Sequence, residues 1–250
     1  MKTASGAGAY VLLVSACILS CTSLGLFGLF LWRGPFPVTR LNLTTSELMG
    51  FDGLLAILFF LQHSVMLRRS FRARLKRALP DHYQPALYAV ASGAMLLLIP
   101  LLWQPVRLNL LSLHGPGRWL ARGAFFAGLA GMLWGFGSLR HFDPLGGGPL
   151  LARLRSEPAP APRLVIWGAY RWVRHPIYAS FLLMIWASPD LTADRLLFNL
   201  LWTVWMVVGT LLEERDLAAD FGDAYRKYQR SVPMLLPRSL GPPGQGRPAY

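Results

Sequence analysis

The chain has 250 residues, of which 54% are hydrophobic and only 15% charged, with a formal net charge of +13. So few charges over this length exclude an ordinary soluble domain, and apolar runs of about 20 residues point to a bilayer as solvent. The basic excess does not indicate a nucleic-acid partner, because it is spread over alternating loops and not gathered on one face of a folded domain.

In chain order, residues 10–32, 48–67, 83–103 and 120–139 read as four membrane spans. Lys2 ahead of the first apolar run resembles the start of a signal peptide, but the run continues to Trp32, so a retained span is expected. Cys17 and Cys21, the only cysteines, are four apart in that span and share a helix face, where small packing residues are expected. Neither a disulfide framework nor a zinc spacing is present, and no metal is expected. Gly128, Gly131 and Gly135 in the fourth span allow close helix approach, the last two as a GxxxG match.

The segment 142–162 is dense in Gly and Pro and reads as a loop, with a turn at Asp143-Pro144-Leu145-Gly146 and a solvated connector at PAPAP, 158–162. A fifth apolar region, 177–212, is too long for one span and is broken at Ser188-Pro189-Asp190, so it reads as a helical hairpin whose arms need not both cross. From Glu213 a helix continues, with Leu217, Phe221, Tyr225 and Tyr228 forming an apolar and aromatic stripe, until Pro233 ends it. It is expected either to lie on the membrane surface or to wall a cytoplasmic pocket. The fold class is therefore all-α: a polytopic membrane helical bundle of four spans plus a hairpin, five to six membrane helices in all, with a cytoplasmic C-terminal amphipathic helix. The organisation read from sequence is 1–139 for helices one to four, 140–169 for the loop, 170–237 for a functional core and 238–250 for a disordered tail.

Basic residues crowd the loops after spans two and four and after the hairpin, for example Arg68, Arg69, Arg72, Arg74, Lys76 and Arg77. The intervening loops hold few, among them Arg33, Arg40, Arg107 and Arg195. This alternation predicts that both termini are cytoplasmic, as expected for a bacterial inner-membrane protein.

Two groups at that face are costly unless they bind something. One is Arg174-His175-Pro176-Ile177-Tyr178, in which Pro176 can open a helix and His175 and Tyr178 flank its start. The other is the pair Glu213–Glu214 at the end of a long apolar helix, where adjacent carboxylates oppose the helix dipole. Gln62 and His63, polar groups near the cytoplasmic end of span two, read equally as a binding pair or as a helix–helix hydrogen bond.

At these residues the chain resembles the integral-membrane methyltransferases that include isoprenylcysteine carboxyl methyltransferase, phosphatidylethanolamine N-methyltransferase and bacterial relatives. The matching pieces are Gly168-x-Tyr170-x-x-x-Arg174-His175-Pro176-x-Tyr178, then Glu213-Glu214, Phe221-Gly222-x-x-Tyr225-x-x-Tyr228, Val232-Pro233 and Pro237, with 141–146 as an extension. Gln62-His63-Ser64-Val65-Met66 with the basic residues and Phe71 that follow, together with the tail 213–237, is similar to the bacterial methanethiol S-methyltransferase group and nitrite-reduction-associated membrane proteins. The segment 146–155, GGGPLLARLR, departs from that group's Leu-Arg and aromatic-rich pattern.

The resemblance implies methyl transfer from S-adenosylmethionine to a small or lipophilic acceptor, a thiol or carboxylate first among thiol, carboxylate, amine and phospholipid headgroup. It implies that Glu213 and Glu214 bind the donor's amino group or ribose, and that Arg174, His175 and the helix start after Pro176 take its carboxylate or flank the adenosine. Tyr170, Tyr178, Tyr225 and Tyr228 would stack on adenine or face the sulfonium. Gln62 and His63 could line the acceptor side and activate a thiol, and no residue is assigned as catalytic. Sterol reductases share the Arg-His-Pro-x-Tyr element, which keeps an NADPH-dependent membrane reductase as an alternative, beside a non-catalytic or isomerase relative.

Overall fold

The computed structural model describes residues 6–139, 143, 145–158 and 164–238. The helices and strands in chain order are α1 (Gly6–Arg33), α2 (Thr45–Leu67), α3 (Arg69–Leu75), α4 (Gln84–Leu102), β1 (Asn109–Ser112), α5 (Gly115–Ser138), α6 (Gly148–Leu154), α7 (Pro176–Trp186), β2 (Asp190–Thr192) and α8 (Ala193–Ser231). Single 3-10 turns precede α4 and α7. The chain is an all-α membrane bundle apart from the short pairing of β1 with β2, which the sequence reading did not include.

The first three expected spans coincide with α1, α2 and α4 to within a few residues, and α2 opens on a capping box between Thr44 and Glu47. Four described helices are long and apolar enough to cross a bilayer: α1, α2, α4 with the turn before it, and α8. The fourth expected span, 120–139, forms a helix within α5, but α5 is not among those four. Its glycines dilute its apolar character. Of the hairpin arms, α7 has 11 residues and is too short to cross, while α8 has 39. At 1.5 Å per residue α8 would be about 58 Å long, nearly twice the hydrocarbon thickness. Only its apolar part, which ends at Leu212, can lie in hydrocarbon. The expected loop contains one short helix, α6, and the Asp143 turn is present, with Gly146 N donating to Asp143 O at 3.2 Å. The bulk of the PAPAP connector, residues 141–142 and 144, and the tail beyond 238 lie outside the described residues. Cys17 and Cys21 are exposed on α1 and are not packed within the protein.

The chain divides into two compact units. The first comprises 1–109, 143–161 and 192–201. Here α4 packs on both α1 and α2, with Gly93 against the backbone of Leu19 and Ser20. Phe30, Trp103 and Phe198, all buried, meet edge to face with centroids 5.2–6.1 Å apart. The start of α8 is tied in by its own charges. Arg195 donates to the terminal carbonyls of α1, Phe30 O and Leu31 O, and Val106 N donates to Asp194 Oδ1. These are charges turned to the bundle interior, where backbone groups can match them.

The second unit comprises 110–142, 162–191 and 202–250. Its frame is α5 against α7. A Cβ at Gly128 would stand 2.7 Å from Met184 Cγ and 2.9 Å from Ser180 O, and those at Gly131 and Gly135 would meet Ser180 and Ile177. The glycine face read as a packing signal is thus the seam itself. Arg118 grips Asp190 through both terminal guanidinium nitrogens, Nη1 and Nη2, at 2.9 and 2.7 Å, and fixes the turn between α7 and α8. Gly128→Ala is expected to lose about 1–3 kcal/mol by overpacking this seam. Gly123→Ala, whose Cβ meets nothing within 4 Å, should be neutral or stabilising by up to about 1 kcal/mol. Thermal unfolding of the two variants in detergent checks the contrast.

Candidate functional site

The site belongs to the second unit and is built from three segments. The first is 168–178. Ser138, at the end of α5, accepts a hydrogen bond from Ala169 N at 3.0 Å and so holds the turn that carries Tyr170. Pro176 is the first residue of α7, as its fixed φ favours, and His175 O accepts the first helical bond, from Ala179 N. Arg174 N and His175 N donate to Pro233 O and Met234 O, which pins the second segment, 232–234, beside the first. The third is α8, which brings Glu213 and Glu214 and then breaks at Gly222, where φ is +56° and ψ −130°, a conformation suited to glycine.

That break is what completes the site. Tyr225 and Gln229 are 11 and 15 residues beyond Glu214 and would be about 16–22 Å away along a straight helix. Instead Tyr225 Oη and Gln229 Nε2 donate to Glu214 at 3.2 and 2.9 Å.

Glu214 is the hub. Its Oε1 accepts from Arg174 Nε and Tyr225 Oη and lies 3.0 Å from His175 Nε2, while its Oε2 accepts from Arg174 Nη2 at 2.8 Å and from Gln229. An ionised carboxylate offers about four lone-pair directions, so five donors saturate it. An acceptor-only group also requires that His175 Nε2 carries its proton. Arg174 is equally occupied, with Nη1 donating to the carbonyls of Gln229 and Val232. Burial would raise Glu214, but the bonds from Arg174, Gln229 and His175 outweigh it and hold the carboxyl at about 2.

Glu213, the next residue, is turned about 100° around the helix and meets a different environment. Its side chain is 43% exposed. Tyr178 Oη donates to its Oε2 at 2.7 Å, and His175 Nδ1 is 3.9 Å from the same oxygen, beyond hydrogen-bond range. The rings of His175 and Tyr178 stack at 5.5 Å and 6°. Burial, and then the Glu213 charge, push the Tyr170 hydroxyl above its ordinary value. Tyr228 Oη donates to Tyr170 O. Because Arg174 balances Glu214, Glu213 is the uncancelled carboxylate of the group.

The structure therefore gathers Tyr170, Arg174, His175, Pro176, Tyr178, Glu213, Glu214 and Tyr225 in one place. Gln62 and His63 belong to the first unit. There Gln62 Nε2 donates to Ser92 Oγ at 3.3 Å and His63 Nε2 is 2.7 Å from Tyr88 Oη. Both contacts join α2 to α4, which is the geometry of a helix–helix hydrogen bond. The sequence reading missed Gln229, whose signal was its place four residues after Tyr225 on the same helical face.

Glu214 has a folded value below its ordinary 4.5, so the stability it contributes is present above about pH 4.5 and is lost as pH falls from there through about 2. Unfolding midpoints in detergent should be flat above that window and drop within it. Glu214→Gln should flatten the acid limb and cost about 3–5 kcal/mol by leaving Arg174 buried without its partner.

No protein-family model and no solved structure matches the chain. Curated proteins do. The chain is 36% identical to a methanethiol S-methyltransferase of Pseudomonas deceptionensis, over 77% of its own length and 74% of the relative's. It is 35% identical to the methanethiol S-methyltransferase of Mycobacterium tuberculosis, over 72% of its own length and 74% of the relative's. A shorter match, 34% identical over 77 residues, is to protein-S-isoprenylcysteine O-methyltransferase of Schizosaccharomyces pombe, 30% of this chain and 33% of that protein. With these identities over most of its length, and with four helices able to cross a bilayer, the chain belongs to the methanethiol S-methyltransferase family of membrane methyltransferases.

Proposed function

We propose that the protein moves a methyl group from S-adenosylmethionine to a small thiol, with methanethiol, the acceptor in its relatives' names, as the first candidate, and a lipophilic thiol or carboxylate as the wider class. It would do so in a bacterial inner membrane with both termini cytoplasmic. The observation that carries this reading is Glu213: half-exposed, uncancelled, and flanked by the tyrosines Tyr170 and Tyr178. That set fits a cationic, aromatic donor. Its carboxylate can take an ammonium or ribose hydroxyl, and its ring faces suit a sulfonium and an adenine.

S-adenosylmethionine, when bound, supplies a sulfonium-borne methyl group: the acceptor's lone pair forms the new bond to carbon as the old carbon–sulfur bond breaks, and that electron pair stays on the departing thioether. The protein's own work is positioning. Glu214 and Arg174 neutralise one another and hold His175, Tyr225 and Gln229 in register, so they act as frame. Glu213 and Tyr178, with Oε1 of Glu213 accepting no hydrogen bond among the described residues, supply the contacts to the donor. An acceptor thiol must lose its proton before or as the bond to carbon forms, and one that arrives as the thiolate has already given that proton to solvent.

The test is binding of S-adenosylmethionine to the detergent-solubilised protein by calorimetry, together with headspace detection of dimethyl sulfide formed from methanethiol. Glu213→Gln should weaken donor binding by about 10–100-fold, the loss of one charge-assisted bond, while the unfolding midpoint stays put. NADPH binding without S-adenosylmethionine binding would overturn the reading, as would unchanged donor affinity in Glu213→Gln.

A further inference from the structure

The first unit has a second built site, remote in sequence from the residues above. Where α1 ends, α2 begins and α4 ends, the segment between α1 and α2 is pinned to the end of α4 by three bonds: Val38 N to Leu101 O at 2.9 Å, Leu41 N to Gln104 Oε1 at 3.0 Å, and Gln104 Nε2 to Thr39 O at 3.1 Å. Gln104 is itself held by its backbone N–H, which donates to the fully buried Asp52 at 2.9 Å. Residues 39 and 41 are therefore fixed on either side of Arg40. A cavity of about 250 Å³ opens there, lined by Arg40, Leu41, Leu48, Gln104, Pro105 and Arg107.

Two features of this cavity call for an anion. Its two charged residues are both arginines and no carboxylate lines it. The nearest acids in sequence bond other groups, through one oxygen each: Glu47 Oε2 accepts from Thr44 N and Oγ1, and Asp52 Oδ1 from Gln104 N. Among the described residues neither arginine makes an ion pair. Two exposed arginines bordering one open cavity give it a positive potential that favours an anion, and guanidinium geometry suits phosphate oxygens. The remaining walls, Leu41, Leu48 and Pro105, are apolar. The cavity also lies at the ends of membrane-spanning helices, the depth of lipid headgroups. Its volume is below the roughly 300–1,000 Å³ of drug-sized ligand sites, so it takes a headgroup and not a whole lipid.

We propose that Arg40 and Arg107 form a phosphate site that holds the headgroup of an anionic phospholipid at the ends of α1, α2 and α4. The site does not depend on the methyl-transfer reading.

The test uses the full chain in detergent, titrated with short-chain phosphatidylglycerol, short-chain phosphatidylcholine and inorganic phosphate, with bound molecules counted by native mass spectrometry. Phosphatidylglycerol should bind at least tenfold more tightly than phosphatidylcholine. Arg40→Gln and Arg107→Gln should each weaken it about fivefold, as expected for one basic residue facing an anionic headgroup, and the double variant by more than twentyfold. The paired Arg40→Lys, Arg107→Lys variant keeps the charge and should retain most of the affinity, which separates loss of the site from loss of the fold. Equal binding of the two lipids, or unchanged phosphatidylglycerol affinity in the double glutamine variant, overturns the proposal. Inorganic phosphate binding as tightly as phosphatidylglycerol would assign the site to the free anion and overturn the lipid.

Discussion

A carboxylate just beyond the end of an apolar helix is tolerable only where something matches its charge and its lone pairs, and the Arg174 guanidinium does this for Glu214 through two bonds in a fixed fork. The second unit's site follows from that contact. Because Arg174 is held, His175 is held, and with it the start of α7. Because Glu214 needs more donors than one arginine provides, the chain turns back at Gly222 and delivers Tyr225 and Gln229. The Arg174 guanidinium then reaches the carbonyls of residues 229 and 232, so the same ion pair also secures the end of α8.

The two adjacent glutamates divide the labour through helix geometry alone. Successive residues on a helix face different ways, so one of the pair is turned into a cage of donors and the other toward a stacked His175–Tyr178 pair and open space. A buried, fully bonded charge is rigid and inert. A half-exposed one with a single hydrogen bond among the described residues keeps open lone pairs. Doubling the acid at this point in the helix thus places one carboxylate in a closed set of bonds and its neighbour beside open space.

Much of this was legible in the sequence, because polar groups at the edge of hydrocarbon carry a cost that marks them. Arg174, His175, Tyr178, Glu213 and Glu214 stood out for that reason, and the structure brings them together. What the sequence did not separate was frame from contact: the saturation of Glu214 depends on Gln229 and on backbone carbonyls at 229 and 232, which have no side-chain signature. The spans α1, α2 and α4 were visible from length and apolar character alone. The glycine-rich α5 was harder to place, since small residues that permit close packing against α7 also lower its hydropathy. The β1–β2 pairing was invisible, three to four residues being too few to show alternation. Asp194 and Arg195 gave no signal beyond their charge, and only the fold shows them matched to Val106 N and to the end of α1.

The turn at Gly222 has a bearing on how the protein is made. A chain grows from its N-terminus, so Arg174 and Glu214 leave the ribosome before Tyr225, Gln229 and residues 232–234 do. Among the described residues, every helix long enough to cross the bilayer has its apolar part complete by Leu212, and membrane insertion can run ahead of the residues that follow. The cluster around Glu214 and Arg174 cannot, because three of its supports are encoded after the bend. A nascent polypeptide stopped at residue 222 would carry the apolar parts of these helices and an incomplete Glu214 cluster, which makes that cluster one of the last parts of the described molecule to be assembled.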